Sequence, residues 1–272
     1  ETVTQGQYTS KAEDILNTIS NPLKPHIPAI ARFLIVVTFL EDALRILFQW
    51  SDQLYYLERI RGMPWGVSHI FLAGNIILMF GGSFLVIIRK YAEYAVGSLF
   101  VVVVSQSIGY GLWNEVNFLL RSLSVIGGLL MVLSDAFSKK KSFFADLPQL
   151  SERDRKTYFQ LAGRVLLIFL FIGFIFHGEW SVTRLAVSLI GFAACIMVVV
   201  GFKAKWSATF LVLFLSIFNL FINNFWSVHH ASPQRDFLQY DFFQTLSIMG
   251  GLLLLVNMGP GGISIDEKKK AF

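Results

Sequence analysis

The chain has 272 residues, of which 54% are hydrophobic, 15% aromatic and only 15% charged, with a formal net charge of +5. A soluble domain carries roughly 25% charged residues, so this composition excludes a large water-soluble core and a separate catalytic domain. The single cysteine, Cys195, excludes an intrachain disulfide and a cysteine-based metal site.

Long apolar runs separated by short polar segments follow one another along the chain. About 20 helical residues cross a ~30 Å hydrocarbon core, and a bilayer forces such runs to be helical. The sequence therefore predicts an all-α, polytopic membrane protein with about eight transmembrane helices. The predicted spans are 29–49, 66–88, 92–113, 116–134, 163–180, 182–202, 206–228 and 240–259. Burial of the turn at Gly178–Ser181 would reduce the number of spans to seven.

The loops differ strongly in Lys and Arg content between the two sides of the membrane. One side has 15 of these residues and the other has 4. Because cytosolic loops are rich in Lys and Arg, this bias predicts that both termini are cytosolic, which requires an even number of spans. The positive charge is thus explained by topology, and no nucleic-acid partner is expected.

Two segments of the chain resemble each other. Leu119–Leu130 reads LLRSLSVIGGLL and Phe242–Leu253 reads FFQTLSIMGGLL, and Arg32 and Arg164 begin similar apolar runs. This predicts two parallel four-helix repeats, with the paired glycines allowing close helix approach within each bundle. Chance recurrence of Leu, Ser and Gly in membrane helices is the alternative. The predicted divisions are a cytosolic N-terminal segment (1–28), a first repeat (29–134), a basic cytosolic linker (135–162), a second repeat (163–259) and a cytosolic tail (260–272).

Charged residues within the predicted spans are informative because each costs a few kcal/mol unless it pairs or lines a wet cavity. Glu41 and Arg45 are four residues apart on one helical face and are expected to pair. Arg121 needs an acidic partner, for which Glu41, Asp42, Glu115 and Asp241 are the candidates. The cytosolic halves of the spans look nearly uniformly apolar.

These polar residues and several aromatic residues converge toward the predicted lumenal ends of the spans. The sequence predicts a lumen-facing pocket with acidic groups and aromatic walls, and structural ion pairs with an ordinary aromatic belt are the alternative. The candidate residues are Glu41, Asp42, Arg45, Trp50, Trp113, Asn114, Glu115, Arg121, Trp226, Tyr240, Asp241, Phe242 and Gln244.

No catalytic motif is present. The sequence contains no HExxH, P-loop or GxSxG motif, and the adjacent His229 and His230 lack the i, i+4 spacing of a helical metal-binding pair. A non-enzymatic protein without cofactor or metal is therefore expected.

Lys269 and Lys270 are the fourth and third residues of the sequence counted back from its last residue, Phe272. A cytosolic dilysine at this spacing is typical of a receptor-read sorting address. A simple positive-inside anchor is the alternative.

Several strings distributed along the chain resemble the surfeit locus protein four family of cargo receptors, including its fungal endoplasmic reticulum (ER) vesicle protein members. The strings are Thr38-Phe-Leu-Glu-Asp42, Phe48-Gln-Trp50, Gly201-Phe-Lys203, Asp236-Phe-Leu, Tyr240-Asp-Phe-Phe-Gln-Thr245, Gly250-Gly-Leu-Leu, Gly259-Pro-Gly-Gly and Asp266-Glu-Lys-Lys-Lys270.

The resemblance implies a multi-pass ER membrane receptor that cycles to the Golgi. It would bind soluble secretory cargo proteins through short hydrophobic signals, enter coat complex II (COPII) vesicles, and return through the COPI coat by its dilysine tail. Burial of apolar cargo side chains would contribute about 1.5–3 kcal/mol each, and acidic groups suit a cargo amine. Membrane lipids surround the protein.

Two other functions compete with cargo reception. One is a small-molecule or lipid transporter or scramblase of the early secretory pathway, and the other is a structural membrane organiser. A transporter should open its polar site to both sides in turn, so the apolar cytosolic halves favour a receptor. An organiser would need neither the acidic cluster nor the sorting address.

Overall fold

The computed structural model describes residues 25–140, 150–169, 182–229, 232–259, 261 and 263–265. Within these ranges the regular structure is helical, which confirms the all-α prediction for the described part of the chain. Its α-helices are α1 (Ile27–Phe48), α2 (Trp50–Tyr55), α3 (Trp65–Ile88), α4 (Ala92–Gly109), α5 (Val116–Lys140), α6 (Leu150–Leu167), α7 (Val182–Val200), α8 (Ala204–Ile222) and α9 (Pro233–Met258). A π-helical turn covers Tyr56–Ile60, and 3-10 turns cover Leu112–Asn114 and Phe225–Ser227.

Five segments of the described chain are helical, long and apolar enough to cross a membrane: Trp65–Ile88, Ala92–Gly109, Phe118–Phe137, Ala204–Ser227 and Gln234–Met258. They support the prediction of a membrane protein. Helix α1 is as long but carries four charged residues, and α7 contains only a shorter apolar stretch, Leu189–Val200. The turn predicted at Gly178–Ser181 and most of the fifth predicted span lie outside the described residues, so the number of eight spans stays a prediction.

Several helix ends differ from the predicted span ends for local reasons. Helix α4 stops at Gly109 rather than at 113, because Gly111 has a φ of +71°, in the left-handed region that glycine adopts readily. Helix α9 begins at Pro233, well before 240, with proline in the first turn, where its missing N–H costs nothing. Helices α5 and α6 extend into the predicted linker, which leaves only 141–149 between them.

Glycines bring helices of the two predicted repeats into close contact. A Cβ atom on Gly127 of α5 would lie 2.8 Å from the backbone nitrogen of Leu167 in α6. A Cβ atom on Gly250 of α9 would lie 2.6 Å from the carbonyl oxygen of Ala31 in α1. The expectation that these glycines act within each bundle is therefore wrong for Gly127 and Gly250, because each faces the first helix of the other predicted repeat. Gly128 and Gly251 also contact Ile35 and Leu167 of their own predicted repeats.

The helices alternate in direction, so their ends form two groups. We call one group the Arg45 end, which is the predicted lumenal side and holds the C-terminal ends of α1, α4 and α8 and the N-terminal ends of α3, α5 and α9. The opposite group, the Arg32 end, is the predicted cytosolic side. Buried apolar residues from both predicted repeats, including Ile35, Leu129, Leu167 and Ile248, form the hydrophobic core between the two ends.

Candidate functional site

A charged network begins on the last turns of α1. Arg45 forms an ion pair with Asp42, and its Nε lies 3.9 Å from Oε1 of Glu41. The predicted pairing of Glu41 with Arg45 is thus present, although Asp42 is the closer partner. Both acids are buried. A buried carboxylate needs such compensation, because its desolvation costs several kcal/mol.

Two amide side chains extend this network to other helices. Gln106 of α4 donates from Nε2 to Oδ2 of Asp42 at 2.6 Å, and Gln239 of α9 donates from Nε2 to Oε1 of Glu41 at 3.0 Å. The guanidinium carbon of Arg45 lies 5.5 Å from the centroid of the Tyr240 ring, within the range of a cation–π contact. The network therefore connects α1, α4 and α9.

A second ion pair connects α5 and α9. Arg121 pairs with Asp241, which selects one of the four acids that sequence analysis left open. On the same helix as Asp241, Gln244 donates from Nε2 to the Tyr240 hydroxyl at 2.6 Å. Tyr240 thus lies between the two ion-paired groups.

Some acceptors of the network have no partner among the described residues. Oε2 of Glu41 and Oε1 of Gln244 are buried without a hydrogen bond. Buried polar atoms are nearly always paired, so such atoms need an explanation, such as a bound group or water. Both are acceptors, and so both could receive a hydrogen bond from a ligand's N–H or O–H.

An aromatic cluster lies beside the network. Phe225, Trp226 and Phe242 have ring centroids 5.3–5.7 Å apart in edge-to-face arrangements, and Phe243 lies 5.5 Å from Phe242. Asn219 of α8 donates to the carbonyl oxygen of Phe242 at 3.2 Å, which fixes α8 against α9. Trp226 is 55% exposed, so the cluster offers an accessible apolar surface.

Other predicted site residues lie apart from this network. Trp113, Asn114 and Glu115 are exposed around the 3-10 turn after α4, and Glu115 forms no ion pair with any described residue. Trp50 packs its edge against His69, with ring centroids 6.1 Å apart. The structure thus brings together one part of the predicted set: Glu41, Asp42, Arg45, Arg121, Tyr240, Asp241 and Gln244, with Trp226 and Phe242 alongside.

Gln106 and Gln239 belong to the network but are not among the predicted site residues. Gln106 lies in the apolar run VVVVSQS, where an amide requires a partner just as a charge does. Gln239 preceded the predicted span, and it joins the network because α9 begins earlier than expected.

The Arg32 end is also polar, which overturns the expectation of nearly uniformly apolar cytosolic halves. Arg32 of α1 pairs with Asp135 of α5 at 3.5 Å, and both are buried. Arg164 of α6 is fully buried and donates to the carbonyl oxygens of Val198 and Ile263 at 3.3 and 2.5 Å. The contrast between a polar lumenal half and an apolar cytosolic half therefore no longer separates a receptor from a transporter.

Two further expectations concern the dilysine tail and the absence of a metal site. Lys269 and Lys270 lie outside the described residues, so the sorting address stays a prediction. Among the described residues, no group of three or more His, Cys, Asp or Glu side chains could hold a metal ion.

Apolar helices long enough to span a bilayer, with ion pairs buried at both ends, define a multi-pass helical membrane protein. The profile of the SURF4 family matches residues 6–272, and the chain belongs to this family. It is 48% identical over 98% of its length to the Surfeit locus protein 4 homolog of Schizosaccharomyces pombe, covering 88% of that protein. It is 41% identical over 97% of its length to the Drosophila melanogaster homolog, covering 97% of it. It is also 41% identical over 98% of its length to the ER-derived vesicles protein ERV29 of Saccharomyces cerevisiae, covering 84% of it. No solved structure shows a significant match.

Proposed function

We propose that the protein is a transmembrane cargo receptor that binds soluble secretory proteins in the ER lumen and carries them into COPII vesicles. After delivery to the Golgi it is retrieved through COPI, which reads Lys269 and Lys270. Family membership and the name of the yeast relative, an ER-derived vesicles protein, support this role. The observation that carries the proposal is the combination, at the Arg45 end, of a partly exposed aromatic cluster with buried acceptors that have no partner among the described residues.

This combination suits a short cargo signal with an apolar part and a hydrogen-bond donor. Apolar cargo side chains would pack on Trp226 and Phe242, each contributing about 1.5–3 kcal/mol when fully buried. A cargo amine would donate to Oε2 of Glu41 or Oε1 of Gln244, which lie in the network around Tyr240. Asp42 and Asp241 already have arginine partners and serve mainly to hold the network in place.

The proposal includes eight spans in two parallel four-helix units with both termini in the cytosol. The glycine contacts support it, because Gly127 meets Gly163 and Leu167 as Gly250 meets Ala31 and Ile35. These positions correspond when Arg32 is aligned with Arg164. In sealed microsomes, protease should cut both termini and leave the 229–236 loop intact. Protection of either terminus would contradict the topology.

The aromatic part of the site is tested by a vesicle-budding reaction with microsomes and purified COPII coat. Trp226→Ala should lower the cargo packaged per packaged receptor, because it removes the most exposed ring of the cluster. Trp206→Ala is the matched control: Trp206 is 53% exposed, close to the 55% of Trp226, but lies at the opposite end of α8. Equal cargo ratios for the two variants would exclude the aromatic cluster as the binding surface.

The acidic part is tested by removing one charge of the network at a time, at Glu41 or at Asp241, with Glu115 as the control position. Glu41→Gln keeps the shape of a side chain in the network and leaves Asp42 paired with Arg45, whereas Glu115→Gln removes an exposed charge outside it. We expect Glu41→Gln, and Asp241→Asn to a smaller extent, to leave cargo behind while the receptor still enters vesicles. Acetylation of the cargo's N-terminal amine should mimic Glu41→Gln and add little to it. If both network variants package cargo normally, the network stabilises the fold and does not bind cargo.

A lipid scramblase or transporter is the second candidate, because buried polar groups occur at both ends of the bundle. Reconstituted liposomes with fluorescent lipid distinguish it from a receptor. Under our proposal, the purified protein should expose no more inner-leaflet lipid to a membrane-impermeant quencher than protein-free liposomes do. Rapid exposure of the inner-leaflet lipid would favour the scramblase.

A further inference from the structure

Three charged side chains form a separate cluster at the Arg32 end. Nη1 of Arg32 and Nη2 of Arg89 each lie 3.5 Å from the same atom, Oδ2 of Asp135. Arg32 is 6% exposed and Asp135 is 3% exposed. Two guanidinium groups thus share one carboxylate oxygen, and the cluster keeps an excess positive charge.

Arg32 has donors that no described residue uses. Its Nε and Nη1 are buried without a hydrogen-bond partner. Charge-assisted N–H···O bonds measure about 2.7–2.9 Å, so the two contacts with Asp135 are too long to saturate either arginine. Arg164, at the corresponding place in the second predicted repeat, instead donates to two backbone carbonyls. Among the described residues, these two buried donors of Arg32 therefore lack an acceptor at hydrogen-bond distance.

The cluster lies where the apolar helices end. The candidate spans Trp65–Ile88 and Phe118–Phe137 stop just before Arg89 and just after Asp135. In a bilayer this depth is the headgroup region, where basic sites between helices bind anionic headgroups. The Arg89 side chain is 35% exposed, so the cluster can be reached from outside the bundle.

We propose that Arg32 and Arg89 bind a phosphate group at this end of the protein, carried by the headgroup of an anionic phospholipid. The planar guanidinium fork matches phosphate oxygens, and the excess charge of the cluster favours an anion. The site is independent of the cargo site, because its three residues lie at the opposite end of the bundle.

Native mass spectrometry of the full chain in detergent tests the site, with phosphatidic acid as the probe and zwitterionic phosphatidylcholine as the comparison lipid. We expect wild type to retain phosphatidic acid preferentially and Arg89→Gln to weaken its binding about tenfold, the effect of one charge-assisted hydrogen bond. Lys90→Gln is the matched control, because it removes the same charge from the next, exposed residue and should bind as wild type does. Equal binding by the two variants would overturn the proposal.

Two further measurements sharpen the result. Asp135→Asn removes the carboxylate that competes for both arginines, so it should retain more phosphatidic acid than wild type. If this variant does not fold, the comparison of Arg89→Gln with Lys90→Gln still decides. Inorganic phosphate tests whether the bound group belongs to a lipid. If the protein binds phosphate but not phosphatidic acid, the phosphate site is supported and the proposal that a lipid headgroup occupies it is overturned. Binding of neither probe overturns the site.

Discussion

The two glycine-containing segments, 119–130 in α5 and 242–253 in α9, pack alike but differ in their polar residues. Gly127 approaches the backbone of α6, and Gly250 approaches the backbone of α1, at positions that correspond in the two predicted repeats. By contrast, Arg121 forms an ion pair with Asp241, whereas the aligned Gln244 donates to the Tyr240 hydroxyl of its own helix.

This difference separates two kinds of constraint. A helix crossing at backbone distance tolerates no side chain, so the glycine is required wherever the crossing is kept. A polar side chain at the end of a helix needs a hydrogen-bond or ion-pair partner, and different residues can supply one. The segments can therefore keep one packing scheme while their polar chemistry diverges, as the proposed cargo site at the Arg45 end requires.

The largest effect is expected where a side chain would enter a helix crossing. Gly250→Ala and Gly127→Ala should each lower the free energy of unfolding by about 1–3 kcal/mol, because the added methyl group meets backbone atoms that cannot rotate away. Thermal unfolding in detergent measures this loss. Gly128→Ala is the control: its Cβ would lie 3.7 Å from the nearest atoms, an ordinary contact. Equal losses at Gly128 and Gly250 would refute the packing half of the comparison.

A smaller effect is expected at the ion pair between α5 and α9. Arg121→Gln, which gives the first segment the residue of the second, should cost about 1–2 kcal/mol, and so should Asp241→Asn, because both side chains are partly exposed. Because each substitution removes the same interaction, the double variant should cost clearly less than the sum of the two. Chemical unfolding of the four proteins provides this cycle, and strict additivity would show that the pair contributes nothing.

A still smaller effect is expected at Gln106. Gln106→Leu removes one hydrogen bond to Asp42, which keeps its Arg45 partner, so a loss of about 1 kcal/mol is expected. Gln234→Leu makes the same chemical change at an exposed position of α9 and should leave the melting temperature unchanged. If Gln106→Leu melts at the same temperature as wild type, the hydrogen bond from Gln106 to Asp42 does not contribute to stability.

The tail should have the smallest effect on stability. Replacing Lys269 and Lys270 by Ser should leave thermal unfolding unchanged but shift the steady-state location of the protein toward the Golgi. Lys268→Ser is the control, because it lies outside the proposed address. Fluorescence microscopy of tagged proteins measures the distribution. An ER distribution for the double variant would reduce the tail to a topological anchor.

The sequence was a good guide to the class of fold and to which residues need partners. Span length and hydropathy predict the long helices, because the bilayer imposes both. The i, i+4 spacing predicts the contact between Glu41 and Arg45, because both lie on one helix. The sequence alone does not identify which of the four acids pairs with Arg121. The pairing with Asp241 depends on how α5 and α9 cross.

The wrong expectations have a common physical origin. The predicted linker includes Asp135, but α5 continues to Lys140 and holds this residue in the bundle beside Arg32. The expectation of packing within each bundle fails at Gly127 and Gly250, since a small residue indicates a close crossing without identifying the helix on the other side. In both cases the missing information is tertiary.

The contacts of Arg164 and Gln160 have a consequence for the reach of the tail. Gln160 donates to the carbonyl oxygen of Gly259, and Arg164 donates to that of Ile263, so the chain leaves the bundle from a fixed point. Lys270 is the fifth residue after Ile265, and an extended chain spans at most about 3.6 Å per residue, so Lys270 can lie no more than about 18 Å from Ile265. Under the proposed function, the coat protein that reads the two lysines must therefore come within about 18 Å of the helix ends, close to the membrane surface.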